Sequence, residues 1–192
     1  MLRYRPHYAF LVRSMESIRA LARHLDIPER TLRRAAAEGL IHGERTSARR
    51  YRTSMREEDY LRRHWPLLRE VRDTLRTEPN VRLAVLFGSF ATGEASERSD
   101  VDLLVSLADP GVRRIAELSA RIERRLGRAI QLVRLLDAER SPVLLATALE
   151  HGRVLVDRDG LWQRLKRAEA HWCRRAAAAE RPLEEVMGDL RL

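Results

Sequence analysis

Gly88-Ser89 and Asp100-Val101-Asp102, separated by ten residues, are the positions of this chain whose types and spacing could do chemistry. Carboxylates two positions apart on a strand point to the same face, about 6.7 Å apart along the backbone. Such a pair repels, and each member raises the pKa of the other unless a cation neutralises both. A hard divalent ion does this, and Mg²⁺ held by one or two carboxylates together with substrate phosphates is the usual arrangement. Gly88-Ser89 offers the complementary half of such a site. Glycine lets the backbone approach a ligand, serine adds a hydroxyl, and the free N–H groups of a starting helix attract phosphate. Asp100 and Asp102 are therefore candidate catalytic and metal-binding residues, and Gly88 and Ser89 candidate nucleotide-binding residues. Arg98, two residues before the acidic pair, is a candidate for neutralising phosphate charge.

These residues need rigid strands to hold them. Residues 81–87 (VRLAVLF) and 101–107 (VDLLVSL) are apolar, rich in leucine and valine, and flanked by turn residues, which predicts two short buried strands. Residues 127–133 read as a further strand, 152–157 as a last short one, and 110–126 and 141–151 as helices. This alternation predicts an α/β fold, a small mixed sheet flanked by helices. From Leu161 onward, Leu161, Leu165, Ala168 and Trp172 fall on one face of a single predicted helix, a stripe that reads as core or as a dimer interface.

The pattern of Gly88, Ser89, Asp100 and Asp102 resembles the signature of the polymerase-β-like nucleotidyltransferases, in particular the minimal nucleotidyltransferases. The resemblance implies transfer of a nucleotidyl group from ATP or another nucleoside triphosphate to a hydroxyl, with Mg²⁺ or Mn²⁺ as cofactor. It also implies a third acidic residue on a neighbouring strand, and here that position falls on Gln131. A glutamine can offer its amide oxygen to a metal but cannot act as a base at neutral pH. Asp137 or Glu139 could reach the site instead, and a strand offset by a few residues would put another side chain there. Small nucleotidyltransferases of this kind act as one half of toxin–antitoxin pairs, which implies a partner protein encoded nearby.

The net charge of +9 is uneven. Residues 1–60 carry 13 arginines against 8 acids, whereas residues 81–160 balance at 12 and 12, so the excess lies mostly ahead of the acidic pair. In that basic region Ile18, Leu21, Ala22 and Leu25 share a helical face. Pro28 can begin a second helix over 29–38 that stops at Gly39 and leaves Arg30, Thr31, Arg33 and Arg34 outward. Residues 40–43 and 45–52 then read as a two-stranded wing with Arg45, Arg49, Arg50 and Arg52. Residues 14–60 are similar to winged helix-turn-helix domains of the MerR type, which implies duplex DNA as a partner and a homodimer as a common state. The alternative is a helical hairpin whose arginines form a solvated face.

The expected organisation is a mainly helical winged helix-turn-helix domain over 1–53, two linker helices over 54–78 broken at Trp65-Pro66, a nucleotidyltransferase domain over 79–160, and a helical tail over 161–192. Cys173 stands alone, which excludes an internal disulfide framework and cysteine-cluster zinc sites. With no apolar run long enough to span a bilayer, no membrane partner and a cytoplasmic location are expected. Two readings follow: a DNA-tethered nucleotidyltransferase, or a DNA-binding regulator or toxin–antitoxin component whose transferase domain binds nucleotide without turnover.

Overall fold

Caps and tight turns, rather than long periodic segments, shape the first of two units into which the chain divides, residues 1–65 and 66–192. The computed structural model describes residues 15–47 and 50–189. In the first unit β1 (Met15–Ser17) leads directly into α1 (Ile18–Leu25), whose start is capped by the Ser17 hydroxyl accepting from the Ala20 N–H at 3.2 Å. Asp26, at φ 52°, ends that helix in the left-handed region that aspartate tolerates better than most residues. Pro28 sits just ahead of α2 (Glu29–Ala37), and its carbonyl accepts from the N–H groups of Thr31 and Leu32. Gly39, at φ 85°, closes α2, and the Leu40 N–H returns to the Ala35 carbonyl at 2.9 Å.

The hairpin that follows is shifted from its expected position. Leu40 and Ile41 are buried core residues, and the strands are β2 (Glu44–Ser47) and β3 (Arg50–Ser54). β3 is the centre of a three-stranded antiparallel sheet ordered β1-β3-β2. Burial explains the shift: Leu40 and Ile41 serve a core that includes Ile18, Leu21, Leu32 and Leu61. The Tyr51 hydroxyl donates to the Ile41 carbonyl at 2.8 Å, and buried Glu57 accepts the His42 N–H at 3.0 Å.

α3 (Met55–Arg76) starts at Ser54, whose hydroxyl accepts from the Glu57 N–H at 3.2 Å. The break expected at Trp65-Pro66 does not occur, and the helix continues through Pro66. Proline cannot donate to the carbonyl four residues back, but Leu68, Val71 and Leu75 beyond it are buried, and that packing outweighs one missing bond.

The second unit is built on a four-stranded mixed sheet, as the sequence predicts, and the strand order is β6-β5-β4-β7. β4 (Val81–Phe87) and β5 (Val101–Leu107) coincide with the two apolar runs and pair antiparallel. Between them lies the short helix α4 (Gly88–Thr92); α5 (Val112–Leu126) crosses over to β6 (Ile130–Arg134), which runs parallel to β5. The one-turn α6 (Leu135–Ala138) and α7 (Pro142–His151) lead to β7 (Arg153–Asp157), antiparallel to β4. Leu83, Val85, Leu104, Leu145, Leu149 and Val154 form the core between sheet and helices. The expected single C-terminal helix is divided at Ala168 into α8 (Leu161–Arg167) and α9 (Glu169–Asp189). The apolar stripe still works as core: Leu165 is buried, and Leu161 and Trp172 pack against the same cluster.

Candidate active site

The end of β4 and the start of β5 bring the two halves of the motif together. Phe87 lies opposite Asp102 in the antiparallel register, and the chain then turns at Gly88, at φ 66°. The Gly88 backbone sits against the Asp102 carboxylate: a Cβ at this position would overlap Oδ2 and stand 3.1 Å from Cγ. Only glycine satisfies both the left-handed backbone and the missing space. Gly88→Ala is expected to lower the unit's stability by about 1–2 kcal/mol from backbone strain alone. It should also displace the carboxylate, which a thermal melt and a nucleotide-binding titration on the same sample would report.

Asp102 is half-buried and Asp100 exposed, and among the described residues neither makes a hydrogen bond or ion pair. Burial pushes the Asp102 carboxyl above the ordinary carboxylate range, and the neighbouring charge of Asp100 adds to the rise. A divalent cation between them removes the repulsion, so the donor set fits Mg²⁺ or Mn²⁺. Ser89 is the second residue of α4, and its hydroxyl makes no hydrogen bond among the described residues.

Gln131 stands directly across from Asp102 in the parallel pairing of β5 and β6, on the same face, so the row across the sheet reads Phe87, Asp102, Gln131. Asp137 is engaged elsewhere, accepting from Arg134 Nη2 at 2.9 Å, and this guanidinium holds its carboxyl below the usual range. The loop before Asp100 is tied by the Ser96 N–H donating to Ser99 Oγ at 2.9 Å. Arg128, which the sequence reading passed over, donates to the Glu97 carbonyl at 2.7 Å and stacks 5.5 Å over the Phe90 ring. It thereby joins the acidic loop to the helix of Ser89. Arg98 is exposed in that loop, its backbone N–H donating to Ser96 Oγ at 3.3 Å, with no partner for its guanidinium among the described residues.

Residues 69–160 match the family model described as polymerase beta, nucleotidyltransferase. The second unit carries a polymerase-beta-like nucleotidyltransferase domain. No curated protein matches the chain. Among solved structures, a toxin–antitoxin chain crystallised with AMP-PNP is 24% identical, with TM-score 0.52, covering 62% of this chain and 98% of its own length. A chain of a MntA–HpeT toxin–antitoxin mutant is 23% identical, with TM-score 0.53 and the same coverage, 62% and 98%. A chain from the complex of a tri-AMPylated Shewanella oneidensis HEPN toxin with its MNT antitoxin is 22% identical, with TM-score 0.50, covering 65% and 98%. These likenesses establish the nucleotidyltransferase fold. Among the described residues no helix is long and apolar enough to cross a membrane.

In the first unit Arg30, Thr31, Arg33 and Arg34 are exposed on α2, and Arg45, Arg50 and Arg52 are exposed on the hairpin, while Arg49 lies outside the described residues. Arg33 and Arg34 are each bound to an acid one turn away, Glu29 at 2.7 Å and Glu38 at 2.8 Å. Arg33, Arg50 and Arg52 line a groove of about 600 Å³ together with Arg19, Ser17, Thr46 and Tyr51. Arg30, Thr31, Arg34 and Arg45 do not line it. Arg19 was not singled out from the sequence, although its place in the first turn of α1, next to the Ser17 cap, was the available signal.

Proposed function

We propose that the second unit transfers a nucleotidyl group from ATP or another nucleoside triphosphate to a hydroxyl of a protein or nucleic acid. In this reading Asp100 and Asp102 hold Mg²⁺ or Mn²⁺, and Gly88 and Ser89 receive the triphosphate. The observation that carries it is the acidic pair, unpartnered among the described residues, with Asp102 half-buried, raised in pKa and directly against the Gly88 backbone. A divalent cation held there would neutralise the carboxylates and polarise the phosphoryl group. Arg128 positions the acidic loop against α4, and the Arg98 guanidinium, without a partner among the described residues, is available to a phosphate. In-line transfer depends chiefly on positioning and charge stabilisation, so Gln131 slows the reaction by leaving the acceptor proton without a third carboxylate, yet does not forbid it.

The test is incubation of the full chain with each α-labelled nucleoside triphosphate, Mg²⁺ or Mn²⁺, and cellular protein and RNA. Label on a protein or RNA band supports the reading and gives the acceptor by its size. Nucleotide binding without transfer favours the second reading, a DNA-binding regulator that keeps the site without turnover, which Gln131 specifically supports.

Duplex DNA is the partner we assign to the first unit as a winged helix-turn-helix, on the strength of the exposed arginines of α2 and the groove. A protein encoded beside this chain is its proposed toxin–antitoxin partner. The solved structures that share its fold are described as toxin–antitoxin assemblies, one of them with AMP-PNP, which supports this assignment. A homodimer on a palindromic site is the assembly that a MerR-type module favours.

A further inference from the structure

Glu16, His24 and Glu58 belong to three different elements of the first unit, β1, α1 and the first turn of α3, and line neither the acidic site nor the arginine groove. One ligand atom from each lies within 4.8 Å of the other two. His24 Nδ1 is 3.3 Å from Glu16 Oε2 and equally 3.3 Å from Glu58 Oε1. These distances are long for charge-assisted hydrogen bonds, which run at about 2.7–2.9 Å, so an N–H shared between the two oxygens serves each of them weakly. They do match two donors on a common tetrahedral metal. Bonds of about 2.0–2.1 Å to zinc set the donor–donor edge at about 3.3–3.4 Å.

A second observation concerns hydrogen bonding. Glu16 Oε2 is itself shielded from solvent, on a side chain 27% exposed, and accepts no hydrogen bond, although it faces the imidazole. A shielded carboxylate oxygen whose facing imidazole is too distant for a strong hydrogen bond is poorly satisfied, and a cation between the two is a partner the geometry admits. Two carboxylates balance a divalent charge, and the imidazole nitrogen selects a transition metal over Mg²⁺ or Ca²⁺, which prefer oxygen donors throughout. Glu58 Oε1 also accepts from Arg62 Nη2 at 2.8 Å, which leaves a lone pair and the second oxygen for a metal. Arg62 then orients the ligand from outside, as outer-shell groups do at metal sites.

We propose that Glu16, His24 and Glu58 bind a divalent transition metal of the Zn²⁺ and Co²⁺ class, with water as the fourth ligand. The ion fastens β1 to the end of α1 and the start of α3. Because Ser17 follows Glu16 directly and Arg19 lies three residues on, it also fixes one wall of the arginine groove.

The test uses the full chain carrying Asp100→Asn and Asp102→Asn, so that the acidic pair takes no part, and Co²⁺ as a visible probe. One Co²⁺ per chain is expected, with the strong absorption of a four-coordinate site, displaced by Zn²⁺. Zn²⁺ should also raise the melting temperature of this chain. His24→Ala and the near-isosteric Glu16→Gln should each weaken Co²⁺ binding at least tenfold and remove the Zn²⁺ shift, with circular dichroism confirming the fold. Should His24→Ala fail to fold, Glu16→Gln decides alone. Equal Co²⁺ affinity and absorption in Glu16→Gln, or no uptake by the parent chain at micromolar Co²⁺, overturns the site.

Discussion

Replacing Asp100 and Asp102 together with asparagine is expected to reduce nucleotidyl transfer by about 10²–10³-fold or more, the scale seen when preorganised charge stabilisation is removed. The same variant should be more stable than the natural chain when both are free of metal at neutral pH. The Asp102 carboxyl is raised by its own burial and then by Asp100, so the folded state holds that proton more tightly than the unfolded chain does. Stability associated with the protonated form is complete below the ordinary carboxylate pKa and is lost as pH rises through the raised value. At pH 7 the metal-free natural chain therefore carries a penalty that asparagine lacks, and the gap should close in acid. Mg²⁺ reverses the order, because only the natural chain gains from binding it. Differential scanning fluorimetry with and without Mg²⁺, at pH 7 and near pH 4, checks all three parts. An identical Mg²⁺ response in both proteins would sink the metal assignment, and a variant less stable than the metal-free natural chain would sink the electrostatic one.

The stability measurement separates two possible fates of this site that a transfer assay alone confounds. Gln131 faces Asp102 across β5 and β6, so the row itself holds one carboxylate, and the second, Asp100, comes from the loop before β5. A chain that binds Mg²⁺ and nucleotide but leaves the acceptor hydroxyl unactivated would show the thermal response without label transfer. Asp137 does not supply the missing base, since its carboxylate is bound by Arg134 and held in the ionised, weakly basic state.

What could be read from the sequence follows from how local each signal is. β4 and β5 were legible to the residue because both are buried apolar runs that end at turn residues. Gln131 was placed beside the acidic pair only through the family resemblance, and its register opposite Asp102 comes from the parallel pairing of β5 and β6, which no local signal encodes. β1 was not legible, since three residues carry no periodicity and become a strand only by pairing with β3. Pro66 read as a break because its local penalty is visible in sequence, while the burial of Leu68 and Val71 beyond it is not. The wing was placed too early for a similar reason: Leu40 and Ile41 look like strand residues, but their environment is a helical core. Arg128 was missed because its role is to bridge Glu97 and Phe90, residues that are distant in sequence.

Alanine at Arg19, Arg50 and Arg52 together is expected to weaken duplex DNA binding more than alanine at Arg33 and Arg34. The first three have no acidic partner among the described residues and face one groove, so each can meet a phosphate with its full charge. Arg33 and Arg34 are bound to Glu29 and Glu38, and a phosphate must share or displace those partners. Each lost phosphate contact lowers the slope of log K against log salt by about 0.9. Three lost contacts therefore flatten the slope by about 2.7, so the affinity lost between about 50 and 200 mM salt shrinks about 40-fold relative to the natural chain. Fluorescence anisotropy with a labelled duplex at four salt concentrations gives both quantities. If the triple variant keeps the natural slope while the α2 pair loses affinity, phosphate contact runs along the helix and not through the groove. If neither changes the slope, the arginines of this unit are a solvated face, and its partner is something other than DNA.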